Sequence, residues 1–136
     1  MKLVSACLAG FSCKWNGNSK PSREIIEMVM EGKAIPVCPE QLGGLPTPRD
    51  PAEQKGDRIF TKYGDDVTEQ FTRGASEVLN IARIYGATEF IGNQNSPSCG
   101  CGFIYDGTFS GKLIKGNGVT TSLLHENGFQ VRPHKE

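Results

Sequence analysis

Short apolar runs alternate with amphipathic stretches along this chain, and each predicts an element. Leu3-Val4-Ser5-Ala6 is brief and apolar, ends on Cys7 and is followed by a loop closing on the turn pair Asn16-Gly17. It predicts a buried parallel strand. From Ser22 the residues Ile25, Ile26, Val29 and Met30 recur on one face, with Glu24, Glu27 and Glu31 off it, which predicts a helix ended by Gly32. Ala34-Ile35-Pro36-Val37 predicts a second strand running into Cys38-Pro39-Glu40. Residues 41–53 hold Gly43-Gly44, Pro46, Pro48 and Pro51, too many breakers for regular structure, and predict an ordered loop. Residues 54–63 are polar and basic around Ile59-Phe60, a short extended piece or a mobile flap.

Asp66-Val67-Thr68-Glu69 has the form of a capping box. The helix it opens carries Phe71, Ala75, Val78, Leu79, Ala82 and Tyr85 at helical spacing before Gly86. Glu89-Phe90-Ile91-Gly92 predicts a third strand. Phe103-Ile104-Tyr105 and Thr108-Phe109-Ser110, joined at Asp106-Gly107, predict a hairpin. Residues 119–124 predict a short helix whose N-terminus, after Gly116-Asn117-Gly118, offers N–H groups to an anion or a polar substrate edge. Neither P-loop nor dinucleotide-fingerprint spacing accompanies it. Residues 129–132 predict a last strand, and His125 and His134 are expected in solvent.

Strands alternating with helices predict a three-layer, Rossmann-like α/β domain with a mainly parallel sheet and an added β-hairpin. At 136 residues the chain makes a single domain, 1–136, with one core. Lys and Arg together number 15 and so do Asp and Glu, so the net charge of zero argues against nucleic acid and anionic membrane as partners. With no apolar leader-like segment and no long apolar run, a reducing cytoplasm is the expected setting. There the five cysteines, an odd number, point to metal or redox chemistry rather than a disulfide framework.

Ligands of such sheets gather beyond the carboxyl ends of the strands, which brings Cys7, Cys38 and the loop carrying Cys99 to one edge. That loop, Asn95-Ser96-Pro97-Ser98-Cys99-Gly100-Cys101-Gly102, is built to present backbone and thiols rather than to pack. A structural zinc site wants four ligands, usually as two close pairs, and only Cys99 and Cys101 form one. Three thiolates around a cubane iron–sulfur cluster would instead leave one iron open as a Lewis acid. Cys99 and Cys101 as a redox pair lack Cys-x-x-Cys spacing. Cys13 either joins Cys7 or fills space as a small hydrophobe. Glu40 stands two residues beyond a strand end beside a thiol. Arg49 and Glu53 either grip a substrate or pair with each other to brace their loop, and Trp15 is core or pocket wall.

Taken in order, three blocks resemble the thiouracil desulfidase family: Ser5-Ala6-Cys7-Leu8-Ala9-Gly10 with Gly17; Cys38-Pro39-Glu40-Gln41-Leu42-Gly43-Gly44-Leu45-Pro46-Thr47-Pro48-Arg49 with Pro51-Ala52-Glu53; and Ser96-Pro97-Ser98-Cys99-Gly100. Asp66-Val67-Thr68, Gly107-Thr108-Phe109 and residues 116–120 extend the likeness over nearly the whole chain. The resemblance implies a [4Fe-4S] enzyme that removes sulfur hydrolytically, without net electron transfer, from thiolated nucleobases such as 2-thiouracil. Its three ligands map onto Cys7, Cys38 and Cys99, with Glu40 as base for the attacking water and Ser96 as proton relay. Ser98, Arg49 and Glu53 are then expected to bind substrate, a small thiolated base, in a monomer or homodimer. Lys14-Trp15-Asn16-Gly17 stands where Arg-Tyr-Asp-Gly is expected, and Asn93-Gln94-Asn95 replaces a lysine-containing lead, differences that bear on substrate identity. The competing expectation is a non-catalytic module that holds zinc or carries sulfur.

Overall fold

Because successive side chains of a strand point to opposite faces, the register of four short strands sets the layering of this domain. A computed structural model describes residues 1–135. In chain order, β1 (Lys2–Ser5) leads into a 3-10 turn (Ala6–Ala9), then α1 (Arg23–Met30), β2 (Ala34–Val37), α2 (Pro39–Leu42), β3 (Ala52–Lys55) and β4 (Arg58–Thr61). There follow α3 (Thr68–Tyr85), β5 (Glu89–Gly92), β6 (Phe103–Tyr105), β7 (Leu113–Lys115), α4 (Val119–Glu126) and β8 (Gln130–Pro133). The main sheet has the order β2-β1-β5-β8 with every pairing parallel. Ile35, Leu3, Phe90 and Val131 stand in one row across it, and pack against Val78 and Ala82 of α3 and Leu124 of α4. Val4 and Ile91 face the other way, against Ile25 of α1 with Cys7, Leu8 and Cys13. Helices thus cover both faces, giving the three layers expected. Burying Leu3 and Phe90 contributes about 1.5–3 kcal/mol each. Pro36 is tolerated because β2 is an edge strand.

Helix α1 starts at the expected Ser22 cap, whereas α3 starts after Val67, which makes no side-chain cap, so the capping box at Asp66 is not formed. Ser22 Oγ accepts from Ile25 N at 3.4 Å, and Asp66 Oδ1 accepts from Thr68 N at 2.9 Å. Phe71, Ala75, Val78 and Ala82 are buried along α3, whereas Tyr85 is exposed. Met30, expected on the inner face of α1, is the last residue of the helix and is 81% exposed.

Other expectations are corrected. The breaker-rich stretch 41–53 opens on the end of α2, a helix that Pro39 favours at its first position, and closes on the start of β3, so it is a loop only between them. Of the two readings of residues 54–63, the short extended piece holds and the flap does not: β4 pairs antiparallel with β3, and Ile59 packs with Val67 and Phe71. The second hairpin pairs β6 with β7, Tyr105 opposite Leu113, and not with residues 108–110. Asp106 Oδ1 accepts from Thr108 N at 2.9 Å, a local turn that draws this segment out of the ladder. His134 is buried, its N–H donating to Gly92 O at 2.9 Å, while His125 is exposed. Among the described residues no helix is long and apolar enough to cross a membrane.

At the crossing of α2 and α3, a Cβ on Gly74 would lie 1.9 Å from Pro39 O. In an open helix Gly→Ala gains up to about 1 kcal/mol. Here Gly74→Ala is expected to lose about 3 kcal/mol, since backbone must move. Urea unfolding checks this, and a variant as stable as the parent would show that the crossing yields.

Candidate functional site

Parallel strands finish on the same side, so the segments that leave β1, β2 and β5 meet at one sheet edge. Around them lies a cavity of about 460 Å³. Cys7, in the 3-10 turn, Cys38, the residue before α2, and Cys99, in the loop after β5, all line it. Glu40, Arg49, Glu53, Ser96 and Ser98 line the same cavity, so the fold brings every predicted site residue together. Cys13 lines it also and is buried, whereas Cys101 does not line it, which separates the proposed redox pair. Trp15 is a half-exposed part of the wall, and Asn93, Gln94 and Asn95 contribute to the lining.

Burial is the largest influence on Cys7 and Cys99. It pushes Cys7 up to about 11, with the charge of Cys38 adding to it, and pushes Cys99 up to about 12 against the opposing hydroxyls of Ser5 and Ser98. Between Cys13 and Cys38 a shared hydrogen bond raises the first and lowers the second. Among the described residues no three His, Cys, Asp or Glu side chains converge to hold a single metal ion. The thiols stand around a space, able to receive a larger group.

Glu40 lies in the first turn of α2. Its Oε1 accepts from Arg49 Nε at 3.0 Å and its Oε2 from Ser98 Oγ at 2.9 Å. Ser98 Oγ is 3.0 Å from Ser96 Oγ and 3.6 Å from Cys99 Sγ. A chain of hydrogen bonds therefore runs Arg49–Glu40–Ser98–Ser96 beside a thiol. Ser96 Oγ also accepts from the backbone N–H groups of Ser98 and Cys99, shaping the loop. The arrangement can orient a carboxylate and move a proton along hydroxyls.

The expected Arg49–Glu53 brace is not formed. Arg49, its side chain only 6% exposed, donates to Glu40, to Thr47 Oγ1 at 2.9 Å, to Pro46 O at 3.2 Å and to Cys13 O at 2.8 Å. Glu53 Oε1 instead accepts from Gly107 N and Phe109 N, both at 3.1 Å.

The N–H groups at the N-terminus of α4 are engaged by backbone carbonyls of the cysteine loop. Val119 N donates to Pro97 O at 2.9 Å and Thr120 N to Ser98 O at 3.0 Å, so these groups anchor the cysteine loop. A Cβ on Gly118 would lie 2.5 Å from the Ser98 carbonyl carbon, which is why a glycine precedes this helix. Sequence reasoning missed Ser5, whose Oγ accepts from Asn93 N at 2.9 Å, and Tyr105, another wall residue. The position of Ser5 at the strand end before Cys7 was the available signal. Nothing local marked Tyr105.

The chain is similar, at 47% identity over 146 residues, to the uncharacterized protein YbbK of Bacillus subtilis (strain 168), covering all of this chain and 97% of that protein. It is also similar to a solved structure of TudS, a [4Fe-4S]-dependent thiouracil desulfidase, with a TM-score of 0.93 and 43% identity over 97% of this chain and 89% of that one. Residues 3–136 match 2-thiouracil desulfurase, and the chain belongs to that family.

Proposed function

We propose that this protein removes sulfur hydrolytically from thiolated nucleobases such as 2-thiouracil, releasing sulfide, with a [4Fe-4S] cluster held by Cys7, Cys38 and Cys99. The observation that carries this reading is the joint opening of three strand-end thiols and the Glu40–Ser98–Ser96 chain onto one cavity. Membership of the family and the likeness to TudS support it.

The residues present fit the cluster. Thiolates are the protein ligands of such clusters, and coordination to a positive centre ionises a thiol that burial otherwise holds protonated. Three strand-end thiols lining a cavity of about 460 Å³ offer both the donors and the room for a polynuclear group, whereas a structural zinc ion wants four ligands. When bound, a cluster with three protein thiolates supplies one open iron, a soft Lewis acid suited to thiocarbonyl sulfur.

The remaining work falls to the chain. Arg49 and Ser98 each hold one oxygen of Glu40, so the carboxylate is oriented before substrate arrives. Glu40 takes the proton of the attacking water, and Ser98 and Ser96 carry a proton onward. Ser98 is thus assigned to the relay ahead of Ser96, since it alone of the two touches Glu40. Trp15 and residues 93–95 flank the base. Water adds its oxygen to the carbon that loses sulfur, so thiobase and water give oxo base and hydrogen sulfide, with no change of oxidation state. The free thiols suit a reducing cytoplasm, and the protein acts as a monomer or homodimer.

Anaerobic iron–sulfur reconstitution, an absorbance scan and addition of 2-thiouracil test the proposal. A brown protein that forms uracil and sulfide in equal amounts is expected. A colourless protein that binds zinc overturns the cluster, and a brown protein inert towards 2-thiouracil overturns the substrate assignment.

A further inference from the structure

Glu53 carries an asymmetry that bracing a loop does not require. Its Oε1 accepts two hydrogen bonds, from Gly107 N and Phe109 N. The segment is curled tightly to deliver them, with φ of 93° at Gly107 and 57° at Phe109, the latter a left-handed conformation costly for a side-chain-bearing residue. One oxygen would have sufficed for that anchor. Oε2 has no hydrogen-bond partner among the described residues, although Glu53 is half-buried and belongs to the cavity wall. Tyr105, two residues before the anchored turn, shares the wall.

We infer that Glu53 is a specificity-determining residue whose Oε2 accepts a hydrogen bond from a ring N–H of the base in the cavity. The inference rests on the thiolated-base reading and narrows it. The substrates are cyclic thioamides or thioureas that keep an N–H in the ring, and fully N-alkylated rings are rejected. A carboxylate only accepts hydrogen bonds, so it selects a donor. Arg49, the other charged wall residue between Glu40 and Glu53 in sequence, spends its donors on Glu40, Thr47, Pro46 and Cys13 and selects nothing. A half-buried acceptor left without a partner is costly, and that cost is what discriminates against a ligand lacking the donor.

Glu53→Gln separates this role from simple anchoring. The two backbone N–H groups require an oxygen at the Oε1 position, so the amide nitrogen must occupy the Oε2 position, where a donor would meet the ring donor. In the reconstituted protein, calorimetric titration with uracil, which cannot turn over, reads the interaction directly. E53Q is expected to keep its melting temperature and bind uracil at least about tenfold more weakly. Unchanged affinity in folded E53Q overturns the inference. With the unaltered protein, 1,3-dimethyluracil is expected to bind at least about tenfold more weakly than uracil, and equal affinity overturns the inference without recourse to a variant. Should these dependences hold while 2-thiouracil releases no sulfide, the desulfidase reading fails and N–H recognition stands. Sulfide release with an affinity indifferent to E53Q fails the inference alone.

Discussion

Cys38→Ala is expected to abolish iron–sulfur reconstitution, with the visible absorbance of the anaerobically treated protein falling to background and sulfide release lost with it. Cys38 follows β2 and Cys7 lies just beyond β1, while Cys99 is in the loop after β5, so three adjacent strands of the sheet each lead to one thiol at the cavity. A cluster held by three thiolates has none to spare. The fold itself should survive, because Cys38 is half-buried and its truncation costs about 1 kcal/mol. Cys13→Ala is the paired control. Its side chain is 5% exposed within the apolar cluster around Ile25, and only its backbone oxygen is used by Arg49. It is expected to retain the absorbance. Full reconstitution of C38A together with failure of C13A would transfer the third ligand to Cys13, which lines the same cavity.

Glu40→Gln is expected to keep the cluster absorbance and lose turnover of 2-thiouracil by about a thousandfold, the middle of the range for removal of a general base. The amide is nearly isosteric and can still accept from Arg49 and donate to Ser98, so the loops keep their positions. It cannot take a proton from water. A thermodynamic cost accompanies the kinetic one, because the Arg49 guanidinium, nearly buried, loses its counter-charge. A loss of about 2 kcal/mol in urea unfolding is expected. Circular dichroism and absorbance on the same sample separate the two effects. Turnover within about tenfold of the parent would remove Glu40 from the proton-transfer step and leave it a structural partner of Arg49.

Both predictions join a feature visible in the linear chain to one that is not. The cysteines were readable because each follows a short apolar run, and parallel topology carries such run ends to one edge. Glu40 was readable from its place beside Cys38. Its partners were not. Nothing near Arg49 indicates whether it turns to Glu40 or to Glu53, and the answer depends on where Cys13 O and Thr47 lie once the loops are packed. Ser96 and Ser98 are equivalent hydroxyls in the linear chain. The loop conformation, held by α4, brings Ser98 rather than Ser96 onto Glu40, across 58 positions of sequence.

The hairpin of β6 and β7 and the fate of the histidine at 134 failed for related reasons. Asp106-Gly107 is a good local turn signal, yet Glu53 from another hairpin captures the amides that would have continued the ladder. His134 is polar and near the end of the chain, yet its backbone extends β8 against Gly92 and carries the ring under cover.

By itself, then, the sequence determined the layered α/β fold, the mainly parallel sheet of its apolar strands, the edge where the thiols gather and the family to which its motifs belong. Those depend on local periodicity and on the near-invariant geometry of strand–helix–strand units. Only the tertiary structure decided which acceptor Arg49 satisfies, which serine meets the carboxylate, which cysteine is left outside the cavity and which oxygen of Glu53 remains open. Hydrogen bonds between loops are settled by ångström-scale positions that packing of distant elements imposes, and no local pattern encodes them.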